Sequence, residues 1–162
     1  KLVKQKIVQP FVIHWYGKKD YTSPSQIEYI EKGYQKIRDY GLHDNFIFEG
    51  RTKDVAGVIK SCDVMCLGSF FEGFSNSLSE YISCGKPVLC SNIDENTIMV
   101  KDGVNGFTFD PYSVASIAEA FIKFFGLDLK EKQRMGIKSR ERAEELFNKE
   151  KFVGEYIRLI EG

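Results

Sequence analysis

Two carboxylates, Glu72 and Glu80, stand either side of the short stretch Gly73-Phe74-Ser75-Asn76. The apolar run before them, Asp63 to Leu67, reads as a strand. The run after them, Asn76 to Cys84, reads as a helix with Leu78, Tyr81 and Ile82 as its apolar stripe. Ser75 or Asn76 suits the N-cap, where a short polar side chain accepts from an unbonded backbone N–H. Gly85, followed by Pro87, ends the helix. Glu80 lies two residues from Leu78, about 200° around the axis, so it faces away from that stripe. Its neighbours on that side, Asn76, Ser77, Ser83 and Cys84, are short and leave the carboxylate open. An open carboxylate can accept two hydrogen bonds from the vicinal hydroxyls of a ribose, a charge-assisted arrangement. The free N–H groups of the helix start, around Gly73 to Asn76, suit a phosphate. Glu72, ahead of the turn, can accept from sugar hydroxyls. An exposed glutamate on a helix and a glycine before one are each common, so the pair alone carries little. Strand end, glycine turn, capped helix start and two carboxylates together carry more.

The elements that must position this segment follow from period. Phe11 to Tyr16, Asn45 to Glu49, Asp63 to Leu67, Pro87 to Ser91 and Gly106 to Phe109 are short, nearly continuous apolar runs. They read as strands covered on both faces. Helical spacing separates them: Ser25 to Tyr40, Asp54 to Ser61, Asn76 to Cys84 and Ser113 to Phe125. Two helices close the chain, a charged one over Leu129 to Leu146 and an amphipathic one over Lys149 to Ile160. Alternation of strand and helix predicts an α/β fold, a Rossmann-like three-layer domain with a parallel sheet of about five strands. In such sheets ligands bind outside the carboxyl ends of the strands, here Gly17, Gly50, Gly68-Ser69 and Ser91.

Composition narrows the class. The chain has 162 residues, one domain's worth, and 23 basic against 23 acidic residues leave no basic field for nucleic acid. No apolar run is long enough to span a bilayer, and Lys1 does not open a signal peptide. Cys62, Cys66, Cys84 and Cys90 show no C-x-x-C spacing and no nearby histidine; they read as small buried hydrophobes in a reducing, cytosolic compartment. The mixed charges from Lys130 to Glu145 read as a solvated helix face.

The segment from Glu72 to Glu80 matches the E-x7-E motif, and the chain resembles the group 1 (family 4) retaining glycosyltransferases of the GT-B fold. Further matches are Asp44-Asn45-Phe46-Ile47-Phe48-Glu49-Gly50, Cys84-Gly85-Lys86-Pro87-Val88-Leu89, Asp102-Gly103-Val104-Asn105-Gly106-Phe107, Asp110-Pro111 and Phe147-Asn148-Lys149-Glu150. The resemblance runs from about Phe11 to the C-terminus. It implies that residues 1–162 are a single nucleotide-sugar-binding domain, the C-terminal, donor-binding half of such an enzyme. Glu72 would contact the transferred sugar near the reacting centre, as the catalytic glutamate, and Glu80 would bind the ribose. Gly73, Phe74, Ser75 and Asn76 would face sugar and diphosphate. Gly50 and Arg51 would lie near the base, and Gly17 would border the diphosphate. Arg51 and Lys18 also read simply as solvated loop side chains. The implied co-substrate is a UDP- or GDP-linked sugar, with no metal and no other cofactor. The implied product class is polysaccharide. The acceptor, a glycan or lipid-linked glycan, would bind through an N-terminal domain, which would also bring the protein to the inner face of the membrane.

The match has departures. Relatives open this domain with a strand and a loop carrying an Arg and a Lys that clamp the diphosphate. Here Lys1-Leu2-Val3-Lys4 reads like the tail of the helix after that loop, so the first strand and the acceptor domain are expected to be absent. His14 in a strand and His43 beside a turn do not replace the histidine of that other domain. After Ser91, relatives carry Gly-Gly and then Pro-Glu; this chain has Asp94-Glu95 and Thr97-Ile98, which predicts a reshaped loop. Asp94 and Glu95 also form a metal-like pair, without a D-x-D. A fragment of this kind is expected to bind donor and to turn nothing over. Two rival readings remain, a non-catalytic nucleotide-binding or protein-interaction module of Rossmann-like fold, and a sugar-nucleotide epimerase of GT-B fold. The stripe Phe152, Tyr156 and Ile160 either packs on this domain or lacks its partner here.

Overall fold

A computed structural model describes residues 2–6, 10–18 and 21–161. The described chain groups into two compact units, Lys1–Val55 and Ala56–Gly162, each taken by itself below. The expectation for Lys1 lies outside the described residues; Leu2–Lys6 form a short helix, α1.

The first unit holds β1 (Ile13–Tyr16), α2 (Pro24–Asp39) and β2 (Phe46–Gly50). β1 and β2 pair in parallel, Ile13 opposite Phe46, with a register shift after Trp15 that sets Tyr16 opposite Gly50. Pro24 opens α2, where its missing N–H costs nothing. Aromatic contacts fill the unit: Phe48 touches Trp15, Tyr34 and Phe46 with ring centroids 5.5, 4.7 and 5.0 Å away. Neither strand has a fully buried residue, so the expected cover on both faces does not hold here.

The second unit takes in all but the first residue of α3 (Val55–Ser61), followed by β3 (Met65–Leu67), α4 (Asn76–Ser83), β4 (Val88–Ser91), α5 (Asp94–Met99) and β5 (Gly106–Phe109). Three helices follow, α6 (Val114–Gly126), α7 (Leu129–Leu146) and α8 (Lys149–Glu161). The strands lie in the order β3-β4-β5, all parallel, with Leu67 opposite Cys90 and Cys90 opposite Thr108. The five expected strands therefore form, by hydrogen bonding, a parallel pair and a parallel triplet. Every residue of β4 is buried; a central strand with cover on both faces reads as an unbroken apolar run. Leu78 and Ile82 of α4, Val88 and Cys90 of β4, Met99, Val100 and Ala143 make the buried cluster.

Helix α7 holds α4 in place. It starts on a full capping box, Asp128 accepting from the Glu131 N–H at 2.7 Å and Glu131 accepting from the Asp128 N–H at 3.0 Å. Its Gly136 comes so close to α4 that a Cβ there would lie 2.4 Å from the carbonyl oxygen of Gly85. Arg140 donates to the Ser83 carbonyl at 2.7 Å, satisfying a helix-end acceptor. Helix α5 stands where the departures after Ser91 predict a reshaped loop. Asn96, fully buried, donates to both the carbonyl and the hydroxyl of Ser91, at 3.1 and 3.0 Å, and so ties α5 to the end of β4.

The cysteines correct another expectation. Cys90 alone is buried; Cys62 is half-buried, and Cys66 and Cys84 are exposed, all four being free thiols. The stripe of α8 is open as well: Phe152, Tyr156 and Ile160 are exposed, and no residue of α8 is buried. Among the described residues no helix is long and apolar enough to cross a membrane.

Candidate donor site at the start of helix α4

The β3–α4 connection leaves the sheet at its carboxyl edge, where open parallel sheets bind ligands. Ser69 donates to the Glu72 carboxylate at 2.5 Å, which fixes the half-exposed side chain of Glu72 before the turn. A charge-assisted bond of this length orients the carboxylate and leaves its other oxygen available. Sequence reasoning missed this contact, although a serine three residues before a glutamate in a turn is a readable signal.

Ser75 is the N-cap of α4. It is buried, and its hydroxyl oxygen accepts from the Leu78 N–H at 3.4 Å, a long bond. Its carbonyl accepts from both the N–H and the hydroxyl of Ser79, at 3.1 and 3.0 Å. The far end of α4 is a Schellman motif: Lys86 N–H to Tyr81 carbonyl at 3.2 Å and Gly85 N–H to Ile82 carbonyl at 3.0 Å, with Gly85 at φ +68°. Both ends are thus fixed, and with them the direction of Glu80. Leu78 and Ile82 are buried while Glu80 and Asn76 are exposed, as the helical period requires.

Gly73 carries a different kind of information. Its φ is not positive, and a Cβ added to it would meet no atom within 4 Å. Neither backbone conformation nor packing within the chain calls for glycine there. Phe74, beside it, is exposed and meets Phe147 edge-on at 6.0 Å.

Gly17, Gly50 and Arg51 belong to the other unit, and the structure gives the two glycines local roles. Gly50 sits at φ +86°, in the left-handed region that favours glycine, at the register shift ending β2. The Gly17 N–H donates to its carbonyl at 2.9 Å. A Cβ on Gly17 would lie 2.9 Å from the outer edge of the half-exposed Trp15 ring, which would have to shift. Arg51 and Lys18 are exposed. His14 is taken up by Glu49, Nδ1 to Oε1 at 2.7 Å.

Asp94 and Glu95 lie in the first turn of α5, where negative charge is favourable to the helix. Among the described residues no group of three or more His, Cys, Asp or Glu is placed to hold a metal ion. Burial pushes the Cys90 thiol up to about 12, with smaller contributions from Cys66 and Asp102. It is a packed apolar group, not a nucleophile.

Comparison with known proteins agrees with this architecture. Residues 3–142 match the family model described as "Glycosyl transferases group 1". The chain is 29% identical over 90 residues to the Escherichia coli UDP-Gal:alpha-D-GlcNAc-diphosphoundecaprenol alpha-1,3-galactosyltransferase, covering 56% of this chain and 23% of that protein. It is 26% identical over 122 residues to the Bacillus anthracis N-acetyl-alpha-D-glucosaminyl L-malate synthase, covering 75% of this chain and 32% of the relative. Among solved structures, Anabaena HepE in complex with UDP superposes with a TM-score of 0.81 at 21% identity, over 97% of this chain and 44% of HepE. S. aureus TarM, crystallised as a point mutant with Fondaparinux, alpha-GlcNAc-glycerol and UDP, gives 0.83 at 20% identity, over 99% of this chain and 31% of TarM. The chain therefore spans less than half the length of each of these relatives. The structural likeness establishes the fold, the Rossmann-like domain of GT-B glycosyltransferases. With a family model matched over most of its length, the chain belongs to the glycosyl transferases group 1 family.

Proposed function

We propose that this chain binds the nucleoside diphosphate sugar used by a glycosyltransferase, with the ribose on Glu80, the diphosphate at the N–H groups before α4, and the sugar beside Glu72. The observation that carries the reading is the segment from Ser69 to Glu80. An oriented carboxylate, a glycine with no internal reason to be one, a capped helix start and an exposed carboxylate follow one another along a fixed path. Gly73 without a side chain lets backbone N–H groups come within hydrogen-bonding distance of a phosphate. Gly50, Arg51 and Gly17 are assigned to the base and the diphosphate border on family resemblance alone.

The proposed reaction is transfer with retention. The anomeric C–O bond of the donor breaks, the nucleoside diphosphate leaves with the electron pair, an acceptor hydroxyl oxygen bonds to the same face of that carbon, and the hydroxyl proton passes to the departing phosphate oxygen. Positioning and stabilisation of the leaving diphosphate would supply most of the rate. Relatives whose names include UDP-Gal, or that were crystallised with UDP-glucose, support a UDP-linked donor. No divalent ion is required in this reading. The acceptor would be met mainly by a further domain, at a cytoplasmic site peripheral to the membrane. This chain alone would bind donor without turnover.

Titration of the protein with UDP and GDP, by calorimetry, tests the reading. Glu80→Ala removes two charge-assisted hydrogen bonds, worth about 1.5 kcal/mol or more each, so affinity should fall roughly 100-fold or more. Unchanged binding in Glu80→Ala, or no binding of either nucleotide by the wild type, would sink it. The non-catalytic reading keeps one observation on its side: Asp94 and Glu95 add negative charge to the same sheet edge as the proposed diphosphate site. Product analysis on the intact protein separates transfer from epimerisation.

A further inference from the structure

Two aromatic side chains that the donor site does not use stand on the same edge of the three-stranded sheet. Phe70 lies in the β3–α4 connection and Tyr112 in the β5–α6 connection. They are 61% and 79% exposed, yet their rings touch, centroids 4.8 Å apart and planes tilted by 37°. Leu67 and Thr108 sit level with each other across Cys90. The two connections therefore leave the same edge of the sheet with β4 between them, about 10 Å apart, and the ring pair bridges them.

Tyr112 is held there by its backbone. Its N–H donates to the Asp110 carboxylate at 2.9 Å, and the Asp110 N–H donates to Ser116 at 3.0 Å. Ser113, the next residue, caps α6 by accepting from the Ser116 N–H at 3.2 Å. A large ring presented to solvent from a fixed backbone is ready to bind at small entropic cost.

The charges around the pair decide what it takes. Glu72 and Asp110 lie on the two connections, and Asp94 and Glu95 in the first turn of α5, which follows β4 at this edge. Carboxylates accept hydrogen bonds from hydroxyls. Aromatic faces are electron-rich and attract the slightly positive C–H groups of a pyranose. Aromatic face and carboxylate rim together suit a neutral, polyhydroxylated ring. Along the β3–α4 connection Glu72 lies between Phe70 and the helix start at Ser75, so a ring on the Phe70 side lies across Glu72 from the helix start assigned to the diphosphate.

We propose that Phe70 and Tyr112 form a stacking platform for a neutral sugar ring of the acceptor, which meets the donor across Glu72. The inference rests on the donor-site reading above, and its test separates the two. Saturation-transfer NMR on the intact protein, loaded with UDP, would use methyl α-D-glucopyranoside as the probe. The ring C–H protons of the probe should take up saturation from the wild type. Tyr112→Ala and Phe70→Ala should weaken that signal about fivefold or more, and Tyr112→Phe should keep it. UDP binding should be the same in all three variants and reduced in Glu80→Ala. Failure of UDP to bind the wild type overturns the donor-site reading. UDP binding with a probe signal that is absent in the wild type, or equal in Tyr112→Ala, overturns the platform alone. Displacement of the probe by UDP-glucose but not by UDP would assign the platform to the donor's own sugar and refute the acceptor. Loss of a self-associated form in Tyr112→Ala, without change in the probe signal, would make the patch a contact between copies and refute it equally.

Discussion

Gly136→Ala tests the account of how α4 is held. Gly136 lies inside α7, so helix propensity alone predicts a gain of about 1 kcal/mol from alanine. The structure predicts the reverse. The new Cβ would sit 2.4 Å from the Gly85 carbonyl oxygen, about 1 Å short of ordinary van der Waals contact. The oxygen cannot swing away cheaply, because Gly85 is at φ +68° and its N–H is bonded to the Ile82 carbonyl at 3.0 Å. Backbone meets backbone, so the cost belongs near the upper end of overpacking, about 3 kcal/mol. Net of propensity, Gly136→Ala should destabilise by about 2 kcal/mol, a fall of roughly 8 °C in Tm for a unit of this size. Gly154→Ala is the matched control. Gly154 lies in α8, and a Cβ there meets no atom within 4 Å, so this substitution should stabilise by roughly 0.5–1 kcal/mol. Urea unfolding followed by far-ultraviolet circular dichroism gives both values. A Gly136→Ala protein as stable as the wild type, or more so, would refute the close approach of α7 to the end of α4.

Stability in alkali should carry the signature of Cys90. Its pKa is raised in the folded state to about 12 from an ordinary 9.0, so the unfolded chain loses its proton first. The stabilising contribution is whole below about pH 9 and is lost as pH rises towards 12, at about 1.4 kcal/mol per pH unit. Comparing wild type with Cys90→Ala should isolate that slope in urea titrations; equal slopes would contradict the burial. Iodoacetamide should label exposed Cys84 well before buried Cys90 in the native protein, as read by mass spectrometry. Asp128→Ala removes the side-chain cap of α7 and should cost about 1 kcal/mol in the same unfolding assay; no change would mean the box is idle.

Local period made much of the site legible. Strand, turn and helix from Met65 to Ser83 follow from residues adjacent in sequence, and so does the direction of Glu80 relative to Leu78 and Ile82. The capping by Ser75 and the stop at Gly85 are likewise short-range chemistry. The segment after Ser91 reads as a reshaped loop because Asp94-Glu95 and Thr97-Ile98 stand where relatives carry Gly-Gly and then Pro-Glu. It is a helix anchored by the buried Asn96 amide on Ser91. The two residues are only five apart, but the bond joins the end of one element to the helix that follows, which residue types alone do not display.

The order of elements, the pair of glutamates and the family all rest on spacing along the chain, and spacing survives without coordinates. Enclosure does not. The folded arrangement left Cys84 open, gave Gly136 a steric reason to be glycine, and brought Phe70 to Tyr112. Burial and close approach depend on what other elements bring to a position, which neighbours in sequence do not record. Phe70 and Tyr112 meet across a long stretch of chain because two parallel strands carry their connections to the same edge.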